Sequence, residues 1–160
     1  MPDAAPAIGR PQQMVTFDLL GETFALPILD VREVIRPVTI TPVPQAPHFV
    51  EGVINLRGHI IPVASLRKRF GLAPQATDIN TRIIVVELGN GLTMGLVVDA
   101  VHEIARIPLE GIAPPPPLVA GSIGAECIKG ISTHEGAMVV HIDMQRVFTP
   151  AEMHALENLN

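Results

Sequence analysis

Two stretches of this chain are copies of one another. Set without gaps, Gly52 to Phe70 falls on Gly130 to Phe148: Gly52 and Gly58 meet Gly130 and Gly136, Ile60 and Ile61 meet Met138 and Val139, Ser65 meets Asp143, and Phe70 meets Phe148. A second pair behaves alike, with Phe24 to Ile28 lying on Met94 to Val98 and Val31 to Val34 on Val101 to Ile104. The chain is a duplication of one unit. Each copy spans only about 65 residues, a size at which a domain buries too little surface to be comfortable alone, so the two copies are expected to pack on each other. Packing of two units creates a groove between them, a preferred place for a binding site.

Within each copy the periodicity is that of strands. Val15, Phe17 and Leu19 alternate with Thr16 and Asp18, Phe24, Leu26 and Ile28 alternate with Thr23, Ala25 and Pro27, and Met94, Leu96 and Val98 repeat the pattern in the second copy. Turns are predicted at Gly21-Glu22, Asn90-Gly91, Arg57-Gly58 and Glu135-Gly136, with glycine supplying the positive φ of tight hairpins. Hairpins of this kind make antiparallel sheets. After each second hairpin an N-cap residue, Ser65 or Asp143, opens a short helical segment ending at Phe70-Gly71 or Phe148. Thr149-Pro150-Ala151-Glu152 combines an N-cap hydroxyl, Pro at the first helical position and Glu at the third, and predicts a last helix from Pro150 to about Leu159. Pro114 to Pro117 read as extended polyproline II, a stiff spacer rather than a ligand for an SH3-type domain, because no basic anchor flanks them.

Composition excludes several classes. A net charge of -5, no Trp or Tyr and only 5 Phe argue against nucleic acid, which asks for cations on phosphates and aromatic platforms for bases. No apolar run approaches the length of about 20 residues that crosses a bilayer, so any membrane association is borrowed from a partner. The lone Cys127 cannot make an intramolecular disulfide, and no apolar segment follows Met1 behind a basic start; the expected compartment is the cytoplasm.

Thr41-Pro-Val-Pro44, Phe49 to Gly58 with its Asn55-Leu56-Arg57-Gly58, Ile61-Pro-Val63 with Leu66-Arg67, and Gly95 to Val101 resemble the signature of the CheW family of chemotaxis adaptors, over about Met14 to Phe148. The resemblance implies an all-β fold of two five-stranded SH3-like antiparallel barrels, in agreement with the duplication. The expected division is a flexible tail over 1–13, a first barrel over 14–72, a connector over 73–81, a second barrel over 82–148 and a helix over 149–160, with 14–148 forming one CheW-like domain. It also implies a scaffold with no catalytic residues and no cofactor, recruited to the inner membrane face. Its partners are then the regulatory domain of a CheA-type histidine kinase and the cytoplasmic tip of methyl-accepting chemoreceptors. His134 and His141 match no feature of the family, and Ser65 stands where the family more often has Asp.

On its own, Arg57 at a hairpin tip reads as a solvated turn residue. The resemblance makes it the leading coupling residue, with Glu33 as its acidic partner. Gly58, like Gly52, serves the backbone first and partner contact second. Val31, Val34 and Ile60 are candidate apolar contacts, although their strand pattern favours the core. Six histidines without tight ligand spacing give no metal site by sequence, and Arg67-Lys68-Arg69 reads as a solvated face. Phosphate loops, nucleophile elbows and paired catalytic carboxylates are absent. A rival class, a small-ligand barrel or enzyme, would require convergent polar groups in an apolar cavity.

Overall fold

The run Ile83-Ile84-Val85-Val86 has no polar face, and the architecture shows why. In the computed structural model, which describes residues 11–89, 91–108, 111–114 and 125–159, this run is a strand buried on both sides. Among the described residues there are ten strands: β1 (Pro11–Leu19), β2 (Glu22–Pro27), β3 (Val31–Ile35), β4 (Val50–Leu56), β5 (His59–Ser65), β6 (Arg82–Glu87), β7 (Thr93–Val98), β8 (Ala100–Pro108), β9 (Ile128–His134) and β10 (Ala137–Ile142). They form two five-stranded sheets, the first in the order β8-β1-β2-β10-β9 and the second in the order β3-β6-β7-β5-β4.

The duplication seen in the sequence is a symmetry of the registers. Val63 pairs with Gly95 in the second sheet, and their copies, His141 and Ala25, pair in the first. Outside the strands, Thr41 bridges Val53 as Ala113 bridges Ile131. The larger core lies between the sheets and takes Phe17, Leu19, Leu26 and Ile142 from one and Ile84, Val86, Leu96 and Val98 from the other. Each sheet also curls over a small core of its own, Met14, Ala25, Ala105, Ile107 and Val139 in the first and Ile54, Ile61, Val63, Ile83 and Val85 in the second. Alternate residues of β6 thus serve two different cores.

Three expectations change. First, neither copy closes a sheet alone: β1 and β2 join β8, β9 and β10, while β3, β4 and β5 join β6 and β7, so the connector over 73–81 divides no sheet. The cause is local. β2 ends at Pro27, which has no amide to continue a ladder, and the 3-10 turn Ile28–Asp30 redirects the chain into the other sheet. Second, this exchange makes one pairing in each sheet parallel, β10 with β2 and β5 with β7, so the sheets are not purely antiparallel. Third, residues 11–13 are not tail: they pair with Pro108, Ile107 and Arg106.

The turn predicted at Gly21-Glu22 falls one residue earlier, with Leu20 and Gly21 both at positive φ. Ser65 caps the helix α1 (Leu66–Arg69) by accepting from the Lys68 amide, and Asp143 caps a 3-10 turn, Met144–Arg146, by accepting from the Gln145 amide. Thr149 and Glu152 form a reciprocal capping box at the start of α2 (Pro150–Glu157), as the sequence predicts. Residues 1–10 of the expected tail and Pro115 to Pro117 of the proline run lie outside the described residues.

Candidate partner-binding site

The hairpin joining β4 to β5 carries Asn55-Leu56-Arg57-Gly58, and each residue has a separate task. Asn55 Oδ1 accepts from the Gly58 amide at 2.8 Å and holds the turn closed. Leu56 leans against the small core of the second sheet. Arg57 and Gly58 take φ of 51° and 87°, so the reversal rests on both residues and not on the glycine alone. That two-residue geometry is the hairpin whose twist matches its strands.

Turned this way, the Arg57 guanidinium meets Glu33 of β3 with two hydrogen bonds, Nη2 to Oε1 at 2.7 Å and Nη1 to Oε2. β3 and β4 are the two edge strands of their sheet and share no backbone ladder, so this side-chain pair spans the open seam. The Arg57 hydrogen bonds hold the Glu33 carboxyl below the usual carboxylate range, and Glu33 in turn raises the guanidinium. The arginine itself stays largely in solvent. Its value lies in orientation, because exposed pairs contribute little to stability.

Around the pair runs a groove of about 420 Å³, lined by Arg32, Glu33, Leu56, Arg57, Ile60 and Leu92 among others. It belongs to the second sheet alone and does not lie between the two sheets. Val34 and Ile60 are 39% and 46% exposed, against the core assignment that their pattern favoured, whereas Val31 packs on the main core. The structure therefore brings Glu33, Arg57 and Ile60 together with Gly58 next to Arg57 in the turn, sets Val34 on the face of β3 opposite Glu33, and turns Val31 inward.

The glycines divide by cause. A Cβ on Gly52 would lie 2.1 Å from the Thr41 carbonyl oxygen, and φ there is 145°, so close approach and backbone both exclude a side chain. A Cβ on Gly58 would meet nothing, which leaves only its φ as the reason.

Sequence reasoning missed a second ion pair. Arg67, read as solvated, is 9% exposed. Its Nε and Nη2 donate to Asp99 at 2.7 and 2.5 Å, and Nη1 donates to the Ala73 carbonyl at 2.8 Å. Asp99 also accepts from the Leu20 amide at 2.8 Å, so the pair ties α1 to the β1-β2 hairpin of the other sheet. Burial pushes the Asp99 carboxyl up, but Arg67 and the Leu20 amide outweigh it and the net direction is down.

The first sheet has a polar interior that the second lacks. His141, Ser132 and Thr16 stand where the copy has Val63, Ile54 and Val85. His141 Nε2 and Ser132 Oγ are 2.7 Å apart, while His141 Nδ1 is buried with no partner. Burial, and after it the charge of Lys129, lowers the imidazole to about 4.

No helix among the described residues is long and apolar enough to cross a membrane. Comparison with known proteins agrees with the signature that runs through this site. The chain is 31% identical to the chemotaxis protein CheW of Treponema pallidum over 92% of its own length and 88% of the relative's. It is 33% identical to protein FrzA of Myxococcus xanthus over 84% of each chain. Its structure superposes on the scaffolding protein TtCheW of Thermoanaerobacter tengcongensis with a TM-score of 0.80 and 42% identity, covering 89% of this chain and 95% of that one. Residues 13–152 match the family described as the CheW-like domain. The duplicated strands, the Asn55-Leu56-Arg57-Gly58 hairpin and these likenesses converge, and the chain belongs to the CheW-like domain family.

Proposed function

We propose that this CheW-like chemotaxis scaffold couples a CheA-type histidine kinase to the cytoplasmic tip of methyl-accepting chemoreceptors and has no turnover of its own. The observation that carries the reading is the convergence of Arg57, Glu33 and Ile60 on one groove. A groove of this kind accepts the apolar face of a helix, and a receptor tip is a helical hairpin. Arg57, fixed by Glu33, sets the register of that helix by charge, which governs specificity more than affinity. The kinase's regulatory domain, a related pair of barrels, docks through a different face. Such a contact is heterologous and extends into rings or arrays. The protein then works in the cytoplasm and reaches the membrane through receptors.

The test is kinase autophosphorylation with receptor-containing membranes across a concentration series of this protein. Receptor-coupled activity that rises and then falls as scaffold saturates both partners supports the reading. Unchanged activity throughout the series overturns it.

A second reading keeps the scaffold and moves it to a non-flagellar chemosensory pathway, as the likeness to a relative under another name, FrzA, suggests. Deleting the gene and scoring swimming against surface motility separates the two.

A further inference from the structure

The internal symmetry that relates the two sheets leaves an imbalance between their seams. The copy of Glu33 is Glu103, on the edge strand β8, and the copy of Arg57 is Glu135, in the hairpin between β9 and β10. Both hairpin residues hold the same φ of 51°. Where the second sheet sets a guanidinium against a carboxylate across its open seam, the first sets a carboxylate against a carboxylate. Among the described residues no Lys or Arg pairs with either. The residue before Glu135 is His134, half-buried, whose Nε2 lies 3.9 Å from a Glu135 oxygen. One donor atom from each of Glu103, His134 and Glu135 falls within a group whose members are all within 4.8 Å of one another.

We propose that Glu103, His134 and Glu135 form a divalent-cation site that closes the seam of the first sheet as Arg57 closes that of the second. Two observations meet here: a mixed nitrogen and oxygen donor set drawn from both edge strands, and a cation held at the symmetry-equivalent place. The donor set specifies the ion. An imidazole with two carboxylates suits Zn2+ or a neighbouring transition ion, whereas Mg2+ and Ca2+ take oxygen alone. In a tetrahedral site with bonds near 2.1 Å the ligand atoms stand roughly 3.4 Å apart, a closure that two exposed glutamates reach by rotation. Three protein ligands leave a fourth position for water or for a partner's side chain. Sequence spacing cannot reveal the set, because Glu103 arrives from a strand distant along the chain. The inference is independent of the coupling role of Arg57.

The test is calorimetric titration and thermal unfolding of the full chain without an affinity tag, with ZnCl2, MgCl2 or CaCl2. The expected result is one Zn2+ per chain and a raised melting temperature, with no effect of Mg2+ or Ca2+ at the same concentration. Glu103→Gln and His134→Asn, both outside the core, should each weaken Zn2+ binding roughly tenfold or more, the least that loss of even an outer partner costs a metal site. Glu135→Arg, which copies the other sheet, should abolish the Zn2+ response and raise the melting temperature of the metal-free protein. No Zn2+ binding by the parent overturns the proposal. So does unchanged affinity in the Glu103→Gln/His134→Asn protein, which would assign the ion to other histidines.

Discussion

Arg57 and Glu33 join two edge strands that no backbone hydrogen bond joins. The pair therefore does for one seam of the molecule what a ladder does elsewhere, while leaving the cation in reach of a partner.

Reversing Arg57 should break assembly and spare the fold. Glu135 occupies the equivalent turn at the same φ of 51°, so a glutamate is compatible with this backbone. Arg57→Glu is expected to melt within roughly 2 °C of the parent, as surface changes generally do. Receptor recruitment should weaken roughly tenfold or more, because a like charge is presented to the partner. Partial rescue by Arg57→Glu combined with Glu33→Arg shows that the two act as a pair, whereas failure to rescue leaves Arg57 as a direct contact. Normal recruitment and kinase activation by the single variant would exclude Arg57 from coupling.

The two hairpin glycines should respond in opposite measure. Gly52→Ala drives a Cβ against the Thr41 carbonyl oxygen 2.1 Å away, and is expected to cost roughly 3 kcal/mol or more. Gly58→Ala meets open space and should cost only about 1 kcal/mol of backbone strain. Urea unfolding of both variants checks the order.

Acid should act on the first sheet through His141. Its imidazole, lowered to about 4 against an ordinary value near 6.5, resists protonation in the folded state only. Stability from this group is complete above about pH 6.5 and is lost as pH falls toward 4, on the order of 3 kcal/mol in all. His141→Val with Ser132→Ala, which restores apolar residues as in the copy and leaves no orphaned hydroxyl, should flatten the denaturation midpoint over that window. An unchanged slope would show that His141 takes up its proton without strain.

Arg67 and Asp99 should matter to stability and little to partners. Arg67→Met leaves Asp99 charged, half-buried and without its cation, at an expected cost of about 3 kcal/mol. Asp99 is held low, so its contribution is present above the ordinary carboxylate range and disappears as pH falls through the lowered value. Asp99→Asn should remove that acid-dependent part. Receptor recruitment by folded Arg67→Met protein at low temperature should match the parent.

Much of this molecule is legible in its sequence for a physical reason: strand alternation, cap residues and turn glycines are local, so Phe17 and Leu19, Ser65 and Thr149 disclose their roles in place. The Glu33–Arg57 pair was legible only through family resemblance, since nothing local tells an arginine at a turn which strand it will face. Strand exchange was not legible at all, because the hairpins of β1-β2 and β6-β7 look alike wherever they dock. Arg67 was misread for the same reason: its partner Asp99 lies in the other copy, and charge runs carry no record of what packs over them. Val34 and Ile60 have the pattern of core strands yet remain exposed, a difference set by which sheet edge is left uncovered.

The exchange of strands between the copies bears on how the chain is made and where it came from. As the ribosome releases the first half, β1 and β2 have no sheet to enter until β8, β9 and β10 exist, so the amino-terminal hairpin waits for nearly the whole chain. Contacts of such long sequence separation slow folding and leave strand edges open to strangers in the interval. The same arrangement is what two identical single-copy chains would adopt by swapping hairpins in a symmetric dimer. Joined end to end, that dimer becomes this protein, and the fusion replaces a concentration-dependent encounter with a tether.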